Sequence, residues 1–130
     1  MSTFVDTSAL FAFLDRSDAR HRDAVEWLSQ TSSDENLVTH SFVMVETSAL
    51  VQRRLGTPAL RTFHADVSAR LEVETVATSL YEAGVIALLA AASHVSLVDH
   101  VSFEQMRRRG LRRAFAFDVD FATAGFETVP

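Results

Sequence analysis

Short β-prone apolar runs alternate with helical segments along the whole chain, and this alternation is the strongest constraint on the fold. Thr3-Phe4-Val5, Asn36 to Thr39, Leu71 to Val76, Ala114 to Phe117 and a short run ending at Val129 read as strands. Helical signals fill the intervals. Thr7 or Ser8 caps a helix to about Leu14, and Arg20 to Gln30 sets Val25, Trp27 and Leu28 among charges. Ser41 caps a helix to about Leu55, where Gly56 supplies the stop, and Thr57-Pro58 opens another that ends near Arg70. A capping box over Ser79 to Glu82 opens an almost wholly apolar helix, Leu80 to Ala92, which belongs in the core or at an interface. Asp99 to Arg109 is a further helix, stopped by Gly110. Connections of this length permit crossovers, so the expected fold is α/β: a three-layer α/β/α sandwich around a mostly parallel sheet of about five strands, as a single domain over residues 1–130.

One local arrangement recurs within this frame. Phe4-Val5-Asp6, Val43-Met44-Val45-Glu46, Leu97-Val98-Asp99 and Phe115-Ala116-Phe117-Asp118 each place a carboxylate directly behind apolar residues. An unpaired carboxylate beside a core costs several kcal/mol or stays protonated. On α-helical spacing, Glu46 projects between Phe42 and Leu50, inside the inward stripe. The chain has no Lys, so few cations can pair with these acids. A shared divalent cation neutralises such a cluster, and all-oxygen donors suit Mg²⁺ or Mn²⁺ rather than zinc. Open parallel sheets collect ligands beyond the carboxyl ends of their strands, where Asp6 and Asp118 would lie. Asp120, two residues after Asp118, is an additional donor or a surface residue.

Composition removes competing chemistries. With no Cys there is no disulfide framework, thiolate metal site or cysteine nucleophile, and with no Lys there is no Schiff-base or P-loop chemistry. The five His lack the spacing of a zinc protease, and no Gly-x-Ser-x-Gly elbow surrounds any serine. No apolar run approaches the ~20 residues of a membrane span, and Met1 to Phe11 has no basic leader, so a cytoplasmic protein without a membrane association is expected. A net charge of −5 disfavours broad wrapping of nucleic acid, yet five of 12 arginines fall between Arg107 and Arg113. They read either as partners of the helix dipole before Gly110 or as phosphate contacts, with Arg107, Arg112 and Arg113 the candidates for the latter.

Each acid also has an ordinary local explanation. Asp99 fits a helix N-cap, Asp6 and Asp118 fit strand-ending turns, and Glu46 fits an ion pair with Arg53 or Arg54. Their joint occurrence in one α/β chain is what favours a common site.

These residues resemble the PIN domain family. The likeness is carried by Phe4-Val5-Asp6-Thr7-Ser8-Ala9-Leu10, by Val45-Glu46-Thr47, by Ser96-Leu97-Val98-Asp99 through Met106-Arg107-Arg108-Arg109-Gly110, and by Ala116-Phe117-Asp118-Val119-Asp120-Phe121. It covers essentially the whole chain, and within the family it is similar to VapC-type toxins of prokaryotic toxin–antitoxin pairs. The resemblance implies a parallel sheet between helices, Mg²⁺- or Mn²⁺-dependent ribonuclease activity, a homodimer and inhibition by a VapB-type antitoxin. It carries the metal-binding acids over to Asp6, Glu46, Asp99 and Asp118, with Asp120 auxiliary. The hydroxyl often found two positions before the last acid is Ala116 here, and Thr7 or Ser8 supplies a hydroxyl near the first.

The expected function is therefore a metal-dependent endoribonuclease in which these acids hold the cation and Asp99 orients the attacking water. The alternative is a catalytically idle PIN-fold module that acts through a protein partner. A haloacid-dehalogenase-type phosphatase fails because only ten residues follow Asp120, and a receiver-type signalling domain fails for want of a Lys.

Overall fold

The computed structural model describes residues 1–130. Five strands, β1 (Ser2–Val5), β2 (Asn36–His40), β3 (Glu72–Glu74), β4 (Arg113–Phe115) and β5 (Glu127–Val129), form one fully parallel sheet in the order β3-β2-β1-β4-β5. Seven α-helices connect them: α1 (Thr7–Leu14), α2 (His21–Gln30), α3 (Ser41–Leu55), α4 (Thr57–Thr62), α5 (Thr78–Ala90), α6 (Leu97–Arg109) and α7 (Val119–Thr123). None is long and apolar enough to cross a membrane.

Residues of one strand alternate between the two faces, and the core shows this directly. Val5 and its register partner Phe115 face a layer built by α1 and α2, where the Phe115 ring stacks on Trp27 at 4.4 Å between centroids. Phe4 faces the opposite way and stacks on Phe121 of α7 at 5.7 Å, with Phe103 of α6 packed edge-on against Phe121. Both faces are thus covered, which is why the strands carry apolar residues on both sides. The strand residues Phe4, Val38, Ala114 and Phe115 are wholly buried.

Several local expectations are corrected. Asp6 rather than Thr7 or Ser8 caps α1, and His40 rather than Ser41 caps α3, through Nδ1 accepting from the Val43 amide at 3.3 Å. With Nδ1 an acceptor, the buried ring carries its proton on Nε2, which meets Ser102 Oγ at 2.8 Å. Ser41 Oγ instead accepts from the Val76 amide, pinning the strand exit of β3. The helix opening at Thr57-Pro58 stays regular only to Thr62, then passes through a π-helical turn, Phe63–Val67, and a 3₁₀ turn, Ser68–Arg70. No capping box opens α5: its N-cap is Ala77, and Ser79 lies inside the first turn, where it accepts from Arg108 Nη1 at 3.3 Å. The short helix α7, five residues long, carries no periodic signal in the sequence. Helix α5 buries Leu80 and Gly84 against α6 but leaves Tyr81, Ile86 and Leu89 exposed, so it packs on one side of this chain rather than several.

Candidate metal centre

The chain runs from β1 outward to β2 and β3 on one side, then returns to build β4 and β5 on the other. The switch point therefore falls between β1 and β4. Asp6 leaves the carboxyl end of β1, and Asp118 follows β4. Because β1 and β4 are paired in register, with Asp6 N–H donating to Phe115 O at 3.1 Å, the two acids lie on adjacent strand exits.

Two further elements bring the other carboxylates to this edge. Helix α3 delivers Glu46 and helix α6 delivers Asp99, and with Asp6 and Asp118 they line one open cleft of about 530 Å³. Oxygens of Asp99, Asp118 and Asp120 lie within 4.8 Å of one another, a spacing one cation can bridge. All five predicted acids are therefore near neighbours, with Asp6 and Glu46 completing the cleft beside the tighter Asp99, Asp118 and Asp120 group.

The local alternatives for these acids fare differently. Asp6 and Asp118 do serve as N-caps, of α1 and α7, each through one carboxylate oxygen. Asp99 does not cap: Ser96 caps α6 and accepts from the Asp99 amide at 3.2 Å, which leaves the Asp99 carboxylate free of that duty. Glu46 forms no ion pair with Arg53 or Arg54. Asp120 Oδ1 lies 3.2 Å from His94 Nε2, a contact between residues 26 positions apart that no local pattern signals.

Three helix N-termini, of α1, α6 and α7, converge on the cluster, and their positive dipole ends offset part of the carboxylate repulsion. The offset is incomplete. Burial first, then the Glu46 and Asp118 charges, raise the Asp6 carboxyl to about 6 against the opposing hydrogen bonds from Ser8. Asp99 rises to about 7, by burial and then by the charges of Asp6, Asp118, Glu46 and Asp120. Asp6 is 2 % exposed, and its Oδ1 has no hydrogen-bond partner while Oδ2 accepts both from Ser8 Oγ at 2.6 Å and from the Ser8 amide at 3.1 Å. A buried carboxylate oxygen without a donor is costly unless a cation completes it, so the donor set fits a hard divalent ion bound through oxygen alone.

Ser8 and Thr7 brace the cleft. Ser8 Oγ also accepts from the Phe117 amide at 3.0 Å, tying the first acid to the segment that carries Asp118. Thr7 Oγ1 accepts from Thr47 Oγ1 at 3.0 Å, fixing α1 against α3 next to Glu46. Ala116, two positions before Asp118, is buried, and Ser8 is the hydroxyl that reaches this segment.

The basic run does not join the acids. Asp99 lies at the first turn of α6 and Arg109 at its last, ten residues or about 15 Å further along the axis. Arg107 pairs with Glu104 at 3.7 Å and lies over the Phe126 ring, and Arg109 pairs with Glu72 at 2.7 Å. Arg113 starts β4, at the end of the strand away from the cleft, where it pairs with Glu35 at 3.3 Å. Arg112 is exposed beside it. Charge clustering in sequence suggested phosphate contacts next to the metal, but helix length separates the two. The cation that does line the cleft is Arg53, expected from helical spacing only as a partner for Glu46.

Comparison with known proteins agrees with this geometry. The PIN domain family model matches residues 3–127. The 23S rRNA-specific endonuclease VapC20 of Mycobacterium tuberculosis is 36% identical over 129 residues, covering 97% of this chain and 96% of that protein. Its crystal structure, described as that of a sarcin–ricin loop cleaving toxin, superposes with a TM-score of 0.90 over 98% of this chain and 99% of that one. VapBC2 from Rickettsia felis, solved on promoter DNA, shares the fold at a TM-score of 0.70 and 11% identity, covering 98% of this chain and 97% of that chain. A four-acid cleft at the switch point of a parallel sheet, with the family model matched from the first strand to the last, establishes that the chain belongs to the PIN domain family.

Proposed function

We propose that this protein is an endoribonuclease toxin of a toxin–antitoxin pair that cuts 23S rRNA at the sarcin–ricin loop with Mg²⁺ or Mn²⁺ bound by Asp6, Glu46, Asp99 and Asp118. The observation that carries the reading is the convergence of these carboxylates on one cleft in which a buried oxygen of Asp6 has no partner. The choice of RNA rests on the likeness to VapC20 along nearly the full length of both chains.

When bound by these acids, a divalent ion would supply water activation and charge neutralisation at the phosphate. The remaining work belongs to the chain. Asp6, Glu46, Asp99 and Asp118 would hold the cation, with Asp120 a further donor beside Asp118. Asp99, at the first turn of α6 and uncommitted to capping, is placed to orient the attacking water and accept its proton. Ser8 holds Asp6 Oδ2 so that Oδ1 faces its ligand, and Thr7 keeps α1 in register with Glu46.

A VapB-type antitoxin is the proposed protein partner. The surface offered to it is an apolar groove of about 400 Å³ between α1, α2 and the π-helical turn, lined by Leu10, Phe13, Val25, Leu28 and Val67. A homodimer is proposed through α5, where Ile86 and Leu89 are 71% and 80% exposed on one chain. The testing experiment is incubation of ribosomes with purified protein and Mg²⁺ or Mn²⁺ beside an Asp6→Asn control. Cleavage confined to the sarcin–ricin loop, and to the wild type, supports the reading. Absence of any metal-dependent product from folded protein refutes it and leaves a partner-binding module.

A further inference from the structure

Among the arginines, Arg53 alone lines the acid cleft. It lies seven residues after Glu46 on α3, two turns along the same face, and with Ala49 and Leu50 it forms one wall of the acid cleft. No carboxylate, hydroxyl or carbonyl accepts from it, and no aromatic ring lies under it. Its neighbour Arg54 is engaged differently, with its guanidinium over the Phe11 ring at 6.0 Å. Arg107, Arg108, Arg109 and Arg113 each pair with a glutamate. The usual reason for an arginine near carboxylates is charge pairing, and here that reason is missing: the i, i+7 spacing is too long for the helical ion pair that i, i+4 permits.

An exposed guanidinium on the wall of an anionic cleft is suited to a ligand that is itself anionic and longer than the cleft. A polynucleotide fits this description, since it presents phosphates on either side of the one held by the cation. Guanidinium also matches phosphate geometry, offering two parallel N–H donors. We propose that Arg53 is a substrate-positioning residue that grips a phosphate flanking the scissile one as the RNA strand crosses the acid cleft. The inference rests on the endoribonuclease reading above. It assigns to α3 two tasks two turns apart: Glu46 for the cation and Arg53 for the strand.

The test compares wild type, Arg53→Gln, Arg53→Lys and Arg61→Gln, the last removing an exposed charge that borders none of the clefts described. Cleavage kinetics on a short RNA stem-loop carrying the sarcin–ricin sequence give KM and kcat. Binding of the same RNA to each variant in an Asp118→Asn background, followed by fluorescence anisotropy across a salt series, gives the number of phosphate contacts independently of turnover. Arg53→Gln is expected to raise KM about tenfold with kcat little changed, the effect of losing one charge-assisted contact. Its log Kd against log salt slope should shrink by about 0.7, one single-strand phosphate contact. Arg53→Lys should recover the salt slope and part of the KM, and Arg61→Gln should match wild type in both. Unchanged KM and slope in Arg53→Gln, or equal losses in Arg61→Gln, overturn the proposal while wild-type cleavage keeps the ribonuclease reading intact. If wild type leaves the RNA uncut with both cations, the ribonuclease reading fails and the role of Arg53 falls with it.

Discussion

Replacing Asp99 with Asn should make the metal-free protein more stable while abolishing its activity. Asp99 is only 9% exposed and its carboxyl is raised from 3.8 to about 7, by burial and then by the surrounding carboxylates. A carboxyl raised in the folded state binds its proton more tightly there than in the unfolded chain. The folded protein therefore holds the extra proton between about pH 4 and 7, and stability falls as pH rises through that window. A shift of about three units corresponds to about 4 kcal/mol lost above pH 7. Against this, an ionised acid in the first turn of α6 gains about 0.3–1 kcal/mol from the helix dipole. Desolvation and repulsion win. Asp99→Asn, which cannot ionise, should be about 2–4 kcal/mol more stable than wild type at pH 8 in EDTA, roughly 6–14 °C in Tm for a domain of this size. The advantage should shrink steadily towards pH 4. Divalent cation at a thousandfold excess over Kd should reverse the order, since wild type gains about 4.1 kcal/mol there and the variant loses a ligand. Melting by calorimetry at pH 8 and pH 4, with EDTA and with Mn²⁺, reads all of this. If Asp99→Asn melts at or below wild type at pH 8 in EDTA, Asp99 is not held in an electrostatically unfavourable site and the argument for a cation fails.

Other perturbations probe the frame around the site. A Cβ on Gly84 would come within 2.6 Å of Val101 Cγ2, a buried β-branched side chain, so Gly84→Ala should cost about 1–2 kcal/mol by thermal melting even after the helix-propensity gain of alanine. Ser8→Ala removes both the 2.6 Å bond to Asp6 and the acceptor for the Phe117 amide; Mn²⁺ affinity by calorimetry should fall about tenfold, the scale of losing an outer-shell partner. Arg113→Gln leaves Glu35, whose side chain is 10% exposed, without its cation, and urea unfolding should register a loss of about 1–2 kcal/mol. Leu89→Arg places a charge on the exposed face of α5; sedimentation should show a concentration-dependent dimer in wild type and a monomer in the variant, and a monomer in both contradicts the α5 interface.

The architecture was largely legible in the sequence because its governing signal is local. Strand and helix periodicities fix the layer order, and Asp6, Glu46, Asp99 and Asp118 each announce themselves by following an apolar run. What escaped was set by tertiary geometry. His40 took the α3 cap from Ser41 because a buried imidazole between Val43 N–H and Ser102 satisfies two groups at once. Asp118 nucleates α7 in only five residues, too short for any periodicity to register. The arginines at Arg107 to Arg113 are adjacent to Asp118 in sequence but separated from the cleft by the length of α6 and β4. Arg53 is distant in sequence from Asp6 and Asp99 yet shares their cleft, since α3 carries it there on the face of Glu46. Only the pairing of β1 with β4 and the position of α3 could settle which cation meets the acids.

The central claim is that the acid cleft binds a divalent cation and with it cuts RNA. Its most direct test is end-mapping of 23S rRNA from ribosomes treated with purified protein in Mg²⁺ or Mn²⁺, beside EDTA and Asp6→Asn controls. A single new end within the sarcin–ricin loop, made by wild type with the metal and by neither control, is the predicted result. Cleavage that persists in EDTA or in Asp6→Asn, or folded protein that makes no cut with either metal, would contradict it.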